Sequence, residues 1–334
     1  MGSPWSYDEL TKTVMVHRWF NETLTGLPAD TAKIIFKQDY CSGGSKFNQP
    51  IYKKDLPLNV QHIKFGFSFN QPINEDSLPD SITHLTFSGC FNQPISKGSL
   101  PDSITHLFFG CDFNQPVNKD SLPNSITHLT FGLYFNQPLN KDSLPDFITH
   151  LTFGCYFNQP VNKDSLPNSI THLTFGDGFN QPVNKDSLPK SITHLTFGVC
   201  FNQPVNKDSL PNSLTHLTFG FDFKQPVNKD SLPSSITHLK CGSSFDSSFF
   251  NKSIDMLPDS IMYLTLNRGF NGLINKLPEN LIFLELPEYY YYPVDNLPYG
   301  LKTLVISKNY PIDNVKVPFG CEIKTIECET LNFI

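Results

Sequence analysis

The sequence predicts a β-rich solenoid of about 14 coils that share one parallel sheet and return through extended, polyproline-like segments. Three observations support this fold class. The tetrapeptide Phe-Asn-Gln-Pro recurs at a step of 22 residues, a Leu-Pro pair recurs between its copies, and apolar residues follow the spacing Leu-x-x-Leu-x-Leu. A fixed period of this length is typical of stacked repeats. The tetrapeptides begin at Phe47, Phe69, Phe91, Phe113, Phe135, Phe157, Phe179 and Phe201, with Phe-Lys-Gln-Pro at Phe223.

Each repeat is expected to place a short strand shortly after its Leu-Pro pair. In the unit Leu78–Ile95, Leu85 and Phe87 are separated by one residue, so both point to the same side of an extended strand. His84 and Thr86 then point to the opposite side. The prolines of the two motifs exclude helix on both flanks and favour an extended return. One coil is therefore a strand, a turn, an extended return and a second turn.

The chain divides into three stretches of what we expect to be one solenoid. Residues 27–242 form the regular array, and residues 243–334 continue it with 20-residue steps towards a C-terminal cap. Residues 1–26 precede the array, and the end coil of a solenoid exposes core unless something covers it. Because Ser6 followed by Glu9 fits a capping box, we predict a short N-terminal helix as this cap.

The asparagine of each tetrapeptide sits in a turn between apolar residues. Its amide can donate to backbone carbonyls of its own and of the neighbouring coil, so we predict an asparagine ladder rather than a ligand site. Lys224 occupies this position in one repeat, which predicts a missing rung and a looser coil, and Asn271 echoes the motif in the tail. The predicted ladder comprises Asn70, Asn92, Asn114, Asn136, Asn158, Asn180 and Asn202.

Composition excludes several classes of function. The 334-residue chain has a formal net charge of −6 and scattered lysines, so we expect no nucleic-acid partner. No stretch reaches the ~20 apolar residues of a membrane-spanning helix, and no signal peptide is visible. The eight cysteines form no Cys-x-x-Cys pair, which indicates reduced thiols in a cytoplasmic protein rather than a disulfide framework.

Catalysis needs a unique constellation of residues at one place, and this sequence offers none. Every candidate group recurs in nearly the same context from repeat to repeat, and the motifs Gly-x-Ser-x-Gly, His-Glu-x-x-His and the P-loop are absent. We therefore expect no enzymatic activity, no catalytic residue and no cofactor.

One histidine recurs in each repeat. Because neighbouring strands lie ~4.8 Å apart, the imidazoles should form a file along the open face of the sheet. Two neighbours could share a zinc ion, but a third would lie about 10 Å from the first, and zinc takes four ligands. We favour a stacked surface file bonded to threonine over a metal site, and we predict lowered histidine pKa values because charged neighbours repel.

A surface that recognises one irregular partner should vary from coil to coil. The positions that vary are the two residues that follow the glycine after each strand, here named the variable rim, and four successive tyrosines also lie at 289–292. Tyrosine is enriched at interfaces, although these four are equally consistent with alternating core and surface positions. The rim comprises 67–68, 89–90, 111–112, 133–134, 155–156, 177–178, 199–200 and 221–222. Our candidate binding residues are His84, His106, His128, His150, His172, His194, His216, Tyr134, Tyr156, Tyr290 and Tyr291.

The pattern Leu-Pro-x-Ser-Ile-x-x-Leu-x-Phe-Gly-x-x-Phe-Asn-Gln-Pro resembles the FNIP repeat, a 22-residue relative of leucine-rich repeats, closely over 47–242. The resemblance implies a leucine-rich-repeat-like fold and a protein-interaction role, as in similar proteins of social amoebae and their giant viruses. A host protein is then one candidate partner. Some similar proteins carry an F-box before the repeats, whereas the segment before this array is too short for a complete one.

A non-enzymatic scaffold for protein–protein interaction is therefore the favoured function. Two alternatives stay open: a substrate-recognition subunit of a ubiquitin ligase, and a structural protein that binds a repetitive ligand or itself.

Overall fold

The protein forms two compact units of stacked coils. The computed structural model describes residues 3–38, 44–227, 229–242, 256–266, 270, 272–311 and 315–326. The first unit comprises Met1–Gln159 with Asp164–Ile170, and the second comprises Pro160–Lys163 with Thr171–Ile334. Within each unit, the strand of one coil pairs in parallel with the strand of the next, so the predicted leucine-rich-repeat-like solenoid is confirmed.

The first unit places its strands in chain order. His84 lies opposite His106 and Leu85 opposite Leu107, so equivalent residues of successive repeats are in register. A 3-10 helix, Lys53–Asp55, interrupts one return segment. Among the described residues of this unit, the strands are β1 (Trp5–Asp8), β2 (Thr13–Val16), β3 (Lys33–Phe36), β4 (His62–Lys64), β5 (His84–Thr86), β6 (His106–Phe108), β7 (His128–Thr130) and β8 (His150–Thr152).

Within the second unit, equivalent residues of successive coils also lie opposite one another, including those of the tail with 20-residue steps. His238 lies opposite Tyr263, which in turn lies opposite Phe283. An isolated parallel bridge joins Val294 and Val315. The strands in the described part of this unit are β9 (His172–Thr174), β10 (His194–Thr196), β11 (His216–Thr218), β12 (His238–Cys241), β13 (Tyr263–Leu266), β14 (Phe283–Glu285), β15 (Thr303–Ser307) and β16 (Glu322–Ile326).

The core of each coil contains two phenylalanines that stack on one another. Phe87, at the end of β5, and Phe91, of the following tetrapeptide, have ring centroids 3.8 Å apart, and Phe91 lies 6.1 Å from Phe113 of the next coil. All three are almost completely buried. Burying such a side chain contributes about 1.5–3 kcal/mol. Because one coil cannot enclose these rings alone, stacking of repeats provides the core.

A glycine follows the strand because the backbones of successive coils approach closely there. A Cβ atom added at Gly132 would lie 1.7 Å from the carbonyl oxygen of Gly110, and one added at Gly154 would lie 1.8 Å from that of Gly132. No side chain fits such a space without backbone movement. The recurrent glycine is therefore a packing requirement, and it leaves a side-chain-free strip beside the strands.

The N-terminal cap is a β-hairpin, so the predicted helix over residues 1–26 is wrong. Strand β1 pairs antiparallel with β2, which itself pairs in parallel with β3. Asp8 accepts hydrogen bonds from the backbone N–H groups of Leu10 and Thr11, at 3.0 and 3.4 Å, and this turn replaces the capping box expected from Ser6 and Glu9. The β-branched residues of β2 favour the extended conformation. The hairpin protects the first parallel strand from edge pairing.

The asparagine ladder is confirmed, but its polarity is opposite to our expectation. The side-chain Oδ1 of Asn70 accepts a hydrogen bond from the backbone N–H of Asn92 at 2.9 Å and another from Gln93 Nε2 at 3.1 Å. The asparagine is thus an acceptor, because the turn of the next coil presents an N–H group. The glutamine of the tetrapeptide is a second member of the ladder, which the sequence analysis missed.

The substitution at Lys224 also acts differently from the prediction. Its backbone N–H still donates to Asn202 Oδ1 at 2.9 Å, so this coil is bonded to the preceding one. What Lys224 lacks is an Oδ1 acceptor for the coil that follows. Asn271, the echo of the motif in the tail, lies outside the described residues.

Candidate interaction surface

The histidines form a continuous file within each unit. The rings of His84 and His106 have centroids 4.2 Å apart and planes 10° apart, and His172 and His194 stack at the same distance. Tyr263 extends the file of the second unit, stacking on His238 at 4.2 Å. The predicted geometry is therefore confirmed, whereas binding by these residues remains a prediction.

From His84 onwards, threonine holds the imidazole from the preceding position. Thr105 Oγ1 lies 2.9 Å from His106 Nδ1, and the same hydroxyl donates to the carbonyl of Thr83 at 3.2 Å. Because the hydroxyl of Thr105 donates its proton to that carbonyl, its oxygen can only accept from His106. The imidazole proton is therefore assigned to Nδ1 of His106. This arrangement fixes the ring and ties one coil to the next.

Burial lowers the pKa values of several histidines in the file more than repulsion between their charges does. Partial burial lowers the pKa of His84 below its ordinary value, and the charges of neighbouring histidines lower it further. The same two causes, with burial the larger, lower the pKa values of His106 and His216. For these three histidines the direction agrees with the prediction, and the main cause is desolvation. In the described residues, no group of three or more His, Cys, Asp or Glu side chains is placed to hold a metal ion.

The variable rim exposes large apolar side chains. In the first unit, Tyr134 and Tyr156 are 48% and 57% exposed, and their rings stack with centroids 5.1 Å apart. Phe67 is also exposed at the rim of this unit. In the second unit, Val199 and Phe221 occupy the rim and are exposed. The sequence prediction of Tyr134 and Tyr156 as accessible residues is consistent with this placement.

Tyr290 is a core residue, so its selection as a binding residue was wrong. Its side chain is 0% exposed and stacks on Phe270 and Tyr310, whereas Tyr291 is 58% exposed. Counting back three residues from Pro293 places Tyr290 at the phenylalanine position of the tetrapeptide, a signal present in the sequence. Burial raises the pKa of Tyr290.

The cysteines among the described residues are free thiols. Cys111 and Cys200 are free and exposed at the rims of the first and second units, and Cys241 is free and buried. Cys41 and Cys328 lie outside the described residues.

In the part of the chain that the structure describes, no helix is long and apolar enough to cross a membrane.

A pocket of about 610 Å³, which the sequence analysis did not predict, lies between the strands and the rim of the first unit. It extends from the coil of β3 to that of β7, and the side-chain-free glycine strip contributes to its lining. Phenylalanines dominate its wall. The lining residues are Gln38, Gly44, Lys64, Phe67, Thr86, Phe87, Ser88, Gly89, Phe108, Phe109, Gly110, Cys111, Thr130, Phe131 and Gly132.

Departures from the repeat pattern converge on this pocket. Phe108 occupies the position that Thr86 and Thr130 hold in the adjacent coils, and Lys64 occupies it two coils before Phe108. Ser88 replaces the recurrent glycine, and its hydroxyl accepts a hydrogen bond from Gln38 Nε2 at 2.6 Å. These substitutions are visible in the sequence, and aligning the repeats by column would have revealed the site.

Comparisons with known proteins agree with this architecture. The family model FNIP Repeat matches residues 47–90, 69–112, 91–134, 113–156, 135–178, 157–200, 179–222 and 201–244. A crystal structure described as "CroV588 a novel circular LRR protein structure", from a giant virus, is 34% identical with a TM-score of 0.74. That match covers 94% of this chain and 53% of the other, so the chain spans about half of that protein's length.

The fold also resembles that of a more distant protein. "YopM from Yersinia enterocolitica WA-314" is 18% identical with a TM-score of 0.50, over 92% of this chain and 61% of that one. Among curated proteins, none matches this sequence.

Proposed function

Because this chain belongs to the FNIP repeat family, we propose that it is a non-enzymatic scaffold that binds another protein through the variable rim and the adjoining sheet face. The observation that carries the proposal is the exposure of large apolar residues at the rim. Phe67, Tyr134 and Tyr156 are exposed at the rim of the first unit, and Phe108 is exposed on the adjoining sheet face. A monomer gains nothing in folding stability from exposed aromatic rings, whereas interfaces are enriched in them.

The rim of the first unit differs in character from the Lys-Asp turns of the same unit. The Lys-Asp turns carry exposed ion pairs such as Lys97–Asp120 and Lys119–Asp142, both at 3.1 Å. Pairs of this kind contribute little energy and keep a surface hydrated. The rim instead offers apolar area that a partner would remove from water. The net charge of −6 and the scattering of the lysines along the sequence support a protein partner rather than a nucleic acid.

The test compares three forms of the chain in affinity capture followed by quantitative mass spectrometry. The rim variant carries Phe67→Ser, Tyr134→Ser and Tyr156→Ser. The matched control carries Lys97→Ser, Lys119→Ser and Lys141→Ser in the exposed turns. We expect a partner that the wild type and the control retain and the rim variant loses by at least about ten-fold, as truncation of interface aromatic residues usually causes.

Equal capture by all three forms would contradict the use of the rim. Recovery of a ubiquitin-ligase core that depends on the rim would support the ligase-adaptor alternative. Recovery of the chain's own second copy would support self-association.

A further inference from the structure

The pocket of the first unit has a fixed aromatic wall. The ring of Phe67 lies against two glycines: a Cβ atom added at Gly44 or at Gly89 would lie 2.5 Å from Phe67 side-chain atoms. Both glycines have positive φ, of 68° and 25°, so the backbone on both sides of the ring depends on glycine. Phe108, exposed on the sheet face, also lines the pocket. Two aromatic side chains and a side-chain-free strip suit a planar group.

The polar groups of the pocket favour an anion beside that planar group. Among the described residues, Lys64 is exposed and forms no ion pair, and none of those that line the pocket carries a carboxylate. Ser88 accepts the hydrogen bond from Gln38, so its own hydroxyl proton can be donated to a ligand. The volume of about 610 Å³ is within the range of specific ligand sites, which combine apolar walls with a few polar groups.

We propose that this pocket receives an aromatic side chain flanked by a carboxylate, presented by a segment of the partner protein. The ring packs on Phe67 and Phe108, and the carboxylate pairs with Lys64 and accepts from Ser88. This inference rests on the proposed function, and it adds the chemistry of the segment that is recognised. Burial of one anchoring aromatic residue in such a pocket is typical of interface hot spots.

The test uses the peptide acetyl-Glu-Trp-Glu-amide as the probe and the thiol of Cys111 as the reporter. Cys111 lines the pocket and is exposed, and Cys200 of the second unit is an exposed internal reference. Alkylation of both thiols by iodoacetamide is followed by mass spectrometry at increasing, millimolar peptide concentrations. Three further probes separate the contributions: acetyl-Lys-Trp-Lys-amide reverses the charge, acetyl-Glu-Ala-Glu-amide removes the ring, and indole-3-acetate is a free aromatic acid.

Two variants restore the recurrent residue and so preserve the fold. Phe108→Thr removes the aromatic wall and Lys64→Thr removes the cation, each giving the residue that neighbouring coils carry. The matched control is Phe221→Thr, which removes a somewhat more exposed ring from the rim of the second unit.

We expect the Glu-Trp-Glu peptide to slow alkylation of Cys111 without affecting Cys200. Half-protection should need about ten-fold more peptide in Phe108→Thr and about three- to ten-fold more in Lys64→Thr, with no change in Phe221→Thr. The charge-reversed and ring-free peptides should protect at least about ten-fold less well.

An unprotected Cys111, or equal protection in Phe108→Thr, would overturn the inference. If the charge-reversed peptide protects Cys111 as strongly as the acidic peptide does, the pocket does not select a carboxylate, and that part of the inference falls. Indole-3-acetate acting at lower concentrations than the peptide would assign the pocket to a free aromatic acid instead of a partner segment. If a partner is captured through the rim while the peptide fails, the proposed function stands and only the pocket assignment falls.

Discussion

Removal of one asparagine from the middle of the ladder tests the coupling between coils. In Asn114→Ala, the backbone N–H of Asn136 and the side-chain amide of Gln137 lose the Oδ1 acceptor that they contact at 2.9 and 3.1 Å. Gln137 keeps its bond to the backbone carbonyl of Asn114 at 3.0 Å. With about 0.5–1.5 kcal/mol for each net hydrogen bond, we expect a loss of about 1–2 kcal/mol of unfolding free energy.

The assay is urea unfolding followed by circular dichroism. The midpoint should fall while the slope stays unchanged, since the surface exposed on unfolding is the same. Asn21→Ala is the matched control: its Oδ1 accepts from Asn48 at 2.8 Å, but the site is exposed, so water replaces the lost acceptor. We expect the control to cost less than about 0.5 kcal/mol. Equal midpoints for wild type and Asn114→Ala, or an equal loss in the control, would refute the ladder as a source of stability.

Three further predictions concern the histidine file, the glycine strip and the tyrosine register. The pKa values of His62, His84 and His106 are lowered in the folded chain, so the unfolded chain binds more protons. The free energy of unfolding should therefore be highest above pH ~6.5, the ordinary histidine pKa, and should fall as the pH drops below that value. Melting temperatures at pH 7.5 and 5 should differ less when these three are changed to Gln, and an unchanged difference would contradict this. Gly132→Ala should cost at least about 2 kcal/mol in urea unfolding and Gly300→Ala almost nothing. An added Cβ would lie 1.7 Å from a backbone oxygen at Gly132 but 3.9 Å from one at Gly300, so equal costs would contradict the close approach. Tyr290→Ser should cost about 3–5 kcal/mol and Tyr291→Ser less than about 0.5 kcal/mol, and the reverse order would contradict the core position of Tyr290.

The regular coils could be predicted because one pattern is repeated in register. Spacing alone placed Leu85 and Phe87 in the core and His84 and Thr86 outside, and each further copy reinforced the same assignment. Because nearly identical coils stack in register, the histidine file and the asparagine ladder could also be predicted. The direction of the ladder hydrogen bonds was not predictable, because an amide offers both a donor and an acceptor and only coordinates distinguish them.

The segments outside the regular repeat were predicted less well. Ser6 and Glu9 match a local helix signal, but pairing with β2 and the turn at Asp8 determine the conformation there. Tyr290 was misassigned because the shorter repeat hides the phenylalanine column, whereas Tyr291 is exposed and binding by it stays a prediction. The pocket was missed for another reason: Lys64, Phe67, Ser88 and Phe108 belong to three successive coils, and only stacking brings them together.

Hydroxyl-radical footprinting of the chain in complex with its captured partner tests the central claim most directly. The account predicts that Phe67, Phe108, Tyr134 and Tyr156 become protected, while Lys97, Lys119 and Lys141 in the opposite turns stay as reactive as in the unbound chain. Protection confined to the Lys-Asp turns, with the rim residues unchanged, would contradict it.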